Sequence, residues 1–90
     1  MKKSNVLWIL TDSLSADFLS CYGDGNIDTP NIDRLANEGT RFTNACSNCP
    51  VCTPFRGSLV TGQYPHTNGV LVNGDFLSPD KKTIAHSFID

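Results

Sequence analysis

Val6 to Leu10 is an unbroken apolar run set between Asn5 and Thr11-Asp12. A short continuous run of this kind is the pattern of a parallel strand buried on both faces. Thr29-Pro30 then opens a helix in which Ile32, Leu35 and Ala36 share one face, and Gly39 closes it. Thr40 to Ala45 alternates enough for a short strand with Phe42 turned inward, and residues 46–51 read as loop. The next predicted helix runs from Thr53 to Thr61. Thr53 would cap it with its hydroxyl, Pro54 suits a first helical position that needs no N–H, and Gly62 fits the left-handed stop. Val70-Leu71-Val72 reads as a short strand, with Asn73-Gly74-Asp75 as the turn after it. Ser78-Pro79-Asp80 starts a last helix with Ile84, Ala85, Phe88 and Ile89 as its apolar stripe. His86 falls on its polar face, and Lys81-Lys82 read as solvated charges near its start.

Strands alternating with helices imply an α/β fold, with a mostly parallel central sheet flanked by helices. A strand buried on both faces needs neighbours on both edges, and the pattern supplies few. The last stripe is still running at Asp90 with no stop signal. The chain therefore reads as the N-terminal piece, residues 1–90, of a larger α/β protein.

Composition narrows the class. Hydrophobic residues make up 39% and charges of both signs are mixed, as in ordinary globular proteins. Ninety residues suit one small domain that buries roughly 60–65% of its unfolded surface. A net charge of −2 gives no basic footprint for nucleic acid or an anionic membrane. No apolar run approaches the roughly 20 residues of a membrane span. Met1-Lys2-Lys3 resembles the start of a signal peptide, but the apolar run after it is too short and lacks a cleavage site. A cytoplasmic location is the default expectation, and a periplasmic or secreted one follows if a leader precedes the chain. Cys21, Cys46, Cys49 and Cys52 are accordingly read as reduced thiols.

The chemistry concentrates at Cys52-Thr53-Pro54-Phe55-Arg56. A cysteine at a positive helix end, with a guanidinium one turn on, is a candidate nucleophile facing an anion. Asp12 follows the first strand, where ligands collect in open α/β sheets, and its carboxylate suits a hard divalent cation. Other patterns compete. Cys46-x-x-Cys49-x-x-Cys52 has the spacing of a cysteine-rich metal module, for which Cys21 or His66 would supply a fourth zinc ligand. Thr11-Asp12-Ser13-Leu14 approaches the Gly-Asp-Ser-Leu block of one serine esterase class, with threonine in place of glycine. The bland readings are a loop histidine at His66 and loop or helix-start acids at Asp24, Asp28 and Asp33.

Cys-x-Pro-x-Arg followed by Leu59-Val60-Thr61-Gly62 resembles the type I sulfatase motif. Asn5 to Asp12, Cys21-Tyr22-Gly23, Thr29 to Ala36, Gly39 to Phe42 and Thr61 to His66 are similar to the opening of that family. The resemblance implies the alkaline-phosphatase-like fold and hydrolysis of sulfate esters. It implies that a maturation enzyme oxidises Cys52 to formylglycine, whose hydrate attacks sulfur, displaces the alcohol and then expels sulfate. Arg56 would anchor the hydrate and its charge, and the substrate would be a sulfated small molecule or carbohydrate. A metal set drawn from Asp12, Cys52 and Ser13 is implied, with Ca2+ as the expected ion and Mg2+ or another divalent ion as the alternative. The family usually has a second aspartate where this chain has Ser13, which can offer its hydroxyl or a water. Phosphonate monoester hydrolases and phosphodiesterases share the motif and form the alternative reading, as does an inactive remnant. Further metal ligands and catalytic Lys and His residues come from later segments in that family, so these 90 residues alone are expected not to turn over substrate.

Overall fold

A computed structural model describes residues 4–23 and 27–89. Met1-Lys2-Lys3, Asp24 and the chain end at Asp90 lie outside the described residues. The chain divides into two compact units, residues 1–44 and residues 45–90. Among the described residues the elements are a short 3-10 turn at Ala16–Phe18 and the helices α1 (Pro30–Glu38), α2 (Cys52–Thr61), α3 (Pro65–Asn68) and α4 (Ile84–Ile89).

The sheet expected from the sequence is absent among the described residues: 6–10, 40–45 and 70–72 carry no strand. A strand exists only when a neighbour takes up its N–H and C=O groups, and no described segment pairs with these. The 6–10 run is instead open to solvent, from Trp8 and Leu10 at 49% to Leu7 at 85% exposure. Phe42, expected inward, is 72% exposed. The apolar face of α1 is uncovered in the same way, with Ile32 and Leu35 both exposed. What the pattern marks as buried therefore has no covering surface here.

In the first unit, α1 keeps its predicted limits between Thr29 and Gly39. Pro30 opens it, and the Asp33 N–H makes the first helical bond to the Thr29 carbonyl at 2.9 Å. Thr29 does not cap the helix through its side chain. Its hydroxyl instead donates to Asp33 Oδ1 (3.2 Å) and accepts from the Ser20 N–H (3.1 Å). The Ser20 hydroxyl donates to Asp33 Oδ2 at 2.6 Å and accepts from the Thr29 N–H at 3.1 Å. Together these bonds tie the loop at Ser20 to the start of α1. Nearby, the Tyr22 hydroxyl donates to the Phe42 carbonyl at 3.0 Å, and the Arg41 guanidinium lies 5.2 Å above the Tyr22 ring.

The second unit packs α3 and α4 against α2. Its buried residues are Pro54, Gly57, Ser58, Asn68 and Val70. Val70, 1% exposed, lies where a Cβ on Gly57 would meet its Cβ at 3.2 Å, so the bare glycine gives the following loop its closest approach to the helix. Asn68 fastens that loop. Its Oδ1 accepts from the Val70 N–H (2.8 Å) and its Nδ2 donates to the Gln63 carbonyl (3.2 Å). Gly62 stops α2 as expected, at φ 68°, with its N–H on the Ser58 carbonyl. The last helix starts later than the sequence suggests. Residues 78–81 form a turn in which the Lys81 N–H reaches the Ser78 carbonyl at 3.0 Å. The helix begins only after Thr83, whose N–H is taken by His86 Nδ1 at 3.0 Å, the back-bonding half of a capping box. The Lys81 ammonium donates to the Thr67 carbonyl at 3.0 Å in an exposed bond.

Two outcomes follow for stability. Asp33 is held below its ordinary value of 3.8, chiefly by the Ser20 hydroxyl and against the opposing effect of burial, with Thr29 and Cys21 adding to it. A depressed folded value means that the unfolded chain takes up the proton first as pH falls. The contribution of Asp33 is then complete above about pH 3.8 and is lost as pH drops through the lower folded value. Urea unfolding should show Asp33→Asn less stable than wild type at pH 7, with the gap closing below pH 3.8; a gap constant with pH would refute this. Asn68→Ala leaves the buried Val70 N–H without its acceptor and should cost about 1–3 kcal/mol in thermal unfolding. A loss under about 0.5 kcal/mol, the range of ordinary surface changes, would show that water replaces the amide.

Candidate active site

Helix α2 begins one residue earlier than the sequence suggests. Val51 stands at the N-cap with extended backbone (φ −130°, ψ 135°), and Cys52 is the first helical residue. Thr53 is therefore inside the helix, and Pro54 occupies the third position instead of the first. Proline remains tolerable there because the first four N–H groups of a helix have no intrahelical partner. Val51 has no side-chain acceptor to offer them. The Thr53 N–H is met instead by Asn73 Oδ1 at 3.0 Å, across 20 residues of chain. The Phe55 N–H closes the first helical turn on the Val51 carbonyl at 2.9 Å. Of the opening donors, Thr53 is thus occupied and Pro54 has none, so the helix end is less open to an anion than its sequence suggests.

Asn73 reaches Thr53 from a fixed turn. Asp75 Oδ2 accepts from the Leu71 N–H (2.7 Å) and the Val72 N–H (2.9 Å), while the Asp75 N–H returns to the Val72 carbonyl (3.2 Å). Gly74 supplies the positive φ of 100° that the turn requires. The Val72 and Leu71 amides hold the Asp75 carboxyl below its ordinary value of 3.8.

Cys52 and Arg56 lie one helical turn apart on α2, and both are exposed. Asp12 and Ser13 belong to the first unit, and both are exposed there. The Ser13 hydroxyl points at Asp12 Oδ2 from 3.5 Å, and Ser13 has a left-handed backbone at φ 52°, sterically costly for a residue with a Cβ. Carboxylate and hydroxyl oxygens have the chemistry a hard cation selects. Among the described residues, however, no group of three or more His, Cys, Asp or Glu side chains is arranged to hold a metal ion. That applies to the cysteine-rich alternative as well: Cys46, Cys49 and Cys52 are not disulfide-bonded and do not gather into a metal-holding cluster. The Ser47 hydroxyl donates to the Cys49 carbonyl at 2.7 Å and receives the Cys49 N–H at 3.1 Å, so a local turn shapes this loop. His66 is exposed and stacked on Tyr64, with ring centroids 5.7 Å apart.

Sequence reasoning marked Asn73 and Asp75 only as turn formers. Nothing near position 73 announces an acceptor for Thr53, because the partner is 20 residues away.

The family model described as Sulfatase matches residues 4–89. An ulvan-active sulfatase of Formosa agariphila is 45% identical over 86 residues, covering 96% of this chain and 17% of that protein. The N-acetylglucosamine-6-O-sulfatase of Bacteroides thetaiotaomicron is 38% identical over 82 residues, covering 91% of this chain and 15% of its own length. The uncharacterized sulfatase YidJ of Escherichia coli is 38% identical over the whole chain, which spans 18% of YidJ. No solved structure matches.

Exposure sets an order among the thiols. Exposed Cys52 and Cys46 should alkylate with iodoacetamide ahead of half-buried Cys21 and Cys49, as read from peptide masses over time. Cys52 labelling last among the four would contradict its place at the surface of the helix end.

Proposed function

The chain belongs to the sulfatase family, and from that premise we propose that it carries the nucleophile end of a sulfuric ester hydrolase, with residue 52 acting as formylglycine. The observation that carries this reading is the placement of Cys52 as the exposed first residue of α2, with Arg56 one turn along. Formylglycine supplies a hydrated aldehyde, an oxygen nucleophile for the sulfur of a sulfate ester.

The chain's own residues prepare that attack. Exposure leaves position 52 open to a formylglycine-generating enzyme and then to an ester. The ester is an anion, and its approach to an oxygen nucleophile is opposed by charge. Arg56 is permanently cationic and offsets that repulsion. With the Thr53 N–H on Asn73 and no N–H at Pro54, main-chain donors add little, so the burden falls on side chains such as Arg56.

Asp12 and Ser13 supply hard oxygen donors suited to Ca2+ or Mg2+. They are part of a metal set and not the whole of one, so no step is assigned to the ion. Relatives named for ulvan and for N-acetylglucosamine 6-O-sulfate support a sulfated carbohydrate as the substrate class.

The test uses protein expressed from its native gene together with a formylglycine-generating enzyme. The peptide containing residue 52 should carry an aldehyde or its hydrate, and a chromogenic aryl sulfate should be hydrolysed. Cys52→Ala should abolish turnover, and Arg56→Ala should lower kcat by about 10²–10³-fold. An unmodified thiol together with no hydrolysis would end the sulfatase reading of this chain.

A further inference from the structure

We propose that Asn73 is a positioning residue for the nucleophile, setting the orientation of the first turn of α2 from outside the helix. The inference rests on the sulfatase reading of Cys52 and adds a residue to it. Two contacts link the 70–75 loop to α2. Val70 packs against the bare backbone of Gly57, and Asn73 Oδ1 accepts from the Thr53 N–H at 3.0 Å. Thr53 and Gly57 are one turn apart and share a face. Cys52 and Arg56 each precede one of them, so their face lies roughly 100° around the same helix. Holding the helix end at the Thr53 N–H, which points along the axis, and the Gly57 face at Val70 therefore sets the direction in which the second face projects.

The clamp is stiff because its parts are fixed independently. Asn68 holds the Val70 N–H at 2.8 Å, and Asp75 holds the Leu71 and Val72 N–H groups at 2.7 and 2.9 Å. Gly74, at φ 100°, closes the turn that carries Asn73. At the helix, the N-cap Val51 cannot take this role, since it has no acceptor side chain. Without Asn73 the Thr53 amide loses its acceptor and the turn bearing residue 52 is free to fray. A shift of about 1 Å in a reacting group can cost 10²-fold in rate.

The experiment measures steady-state hydrolysis of an aryl sulfate by protein from the native gene, with formylglycine occupancy checked by mass for every variant. Asn73→Ala and Asn73→Leu should lower kcat by about 10- to 100-fold and leave KM within about threefold. Asn73→Asp keeps the acceptor and should recover kcat to within about threefold, its added charge appearing as a higher KM for the anionic ester. Asp75→Asn, which weakens the turn without removing the acceptor, should give a smaller loss confined to kcat. Exchange of the Thr53 amide should quicken in the Ala and Leu variants and slow again in the Asp variant. Unchanged kcat in Asn73→Ala, or a kcat in Asn73→Asp as low as in Asn73→Leu, would overturn the inference while leaving the sulfatase reading intact. Formylglycine-bearing wild type without hydrolysis would overturn the reading itself and the inference with it.

Discussion

A helix that starts at Cys52 leaves its first amides without carbonyl partners, and much of the second unit is arranged around that need. A local cap is the usual answer, but the residue at the cap is Val51, which has nothing to offer. The acceptor comes instead from Asn73, and a loop must be held still to deliver it. Asn68, Asp75, Gly74 and the Val70–Gly57 contact are the means of holding it. The arrangement meets the Thr53 N–H from outside the helix, without a capping side chain at position 51.

The first unit solves a similar problem by closure. Ser20, Thr29 and Asp33 hydrogen-bond among themselves, so the loop before α1 and the first turn of α1 are fixed together. Here an acidic side chain in the first turns of a helix ties down chain that precedes it, beyond favouring the positive helix end. The same loop-to-helix logic thus appears in both units, with a carboxylate in one and a carboxamide in the other.

Where the cause of a feature lies within a few residues, the sequence shows it. Pro30 and Gly39 bound α1, Gly62 ends α2, and Asn73-Gly74-Asp75 makes a turn, each for reasons contained in the segment itself. Cys52 and Arg56 were legible for the same reason, since helical spacing places them one turn apart. The start of α2 was misread because Thr53-Pro54 looks like a cap and first turn, whereas Asn73 lets the helix begin at Cys52. Thr83 and His86 likewise delay α4 beyond the turn that Ser78-Pro79-Asp80 makes. The sheet could not be decided locally at all. A run such as Val6–Leu10 specifies an affinity for two neighbouring strands, and the partners are not in the described residues.

That run has a further consequence for how the chain behaves in isolation. From Asn5 to Thr11 there is no charge and no proline, and β-branched and aromatic residues are frequent. Segments of this composition, when open to solvent, act as templates on which identical segments from other molecules add strand by strand. The side chains that favour burial within a sheet therefore favour intermolecular sheets when none is present. Handled alone, the 90-residue chain presents residues 6–10 as a template of this kind, and a surface laid over them would remove it.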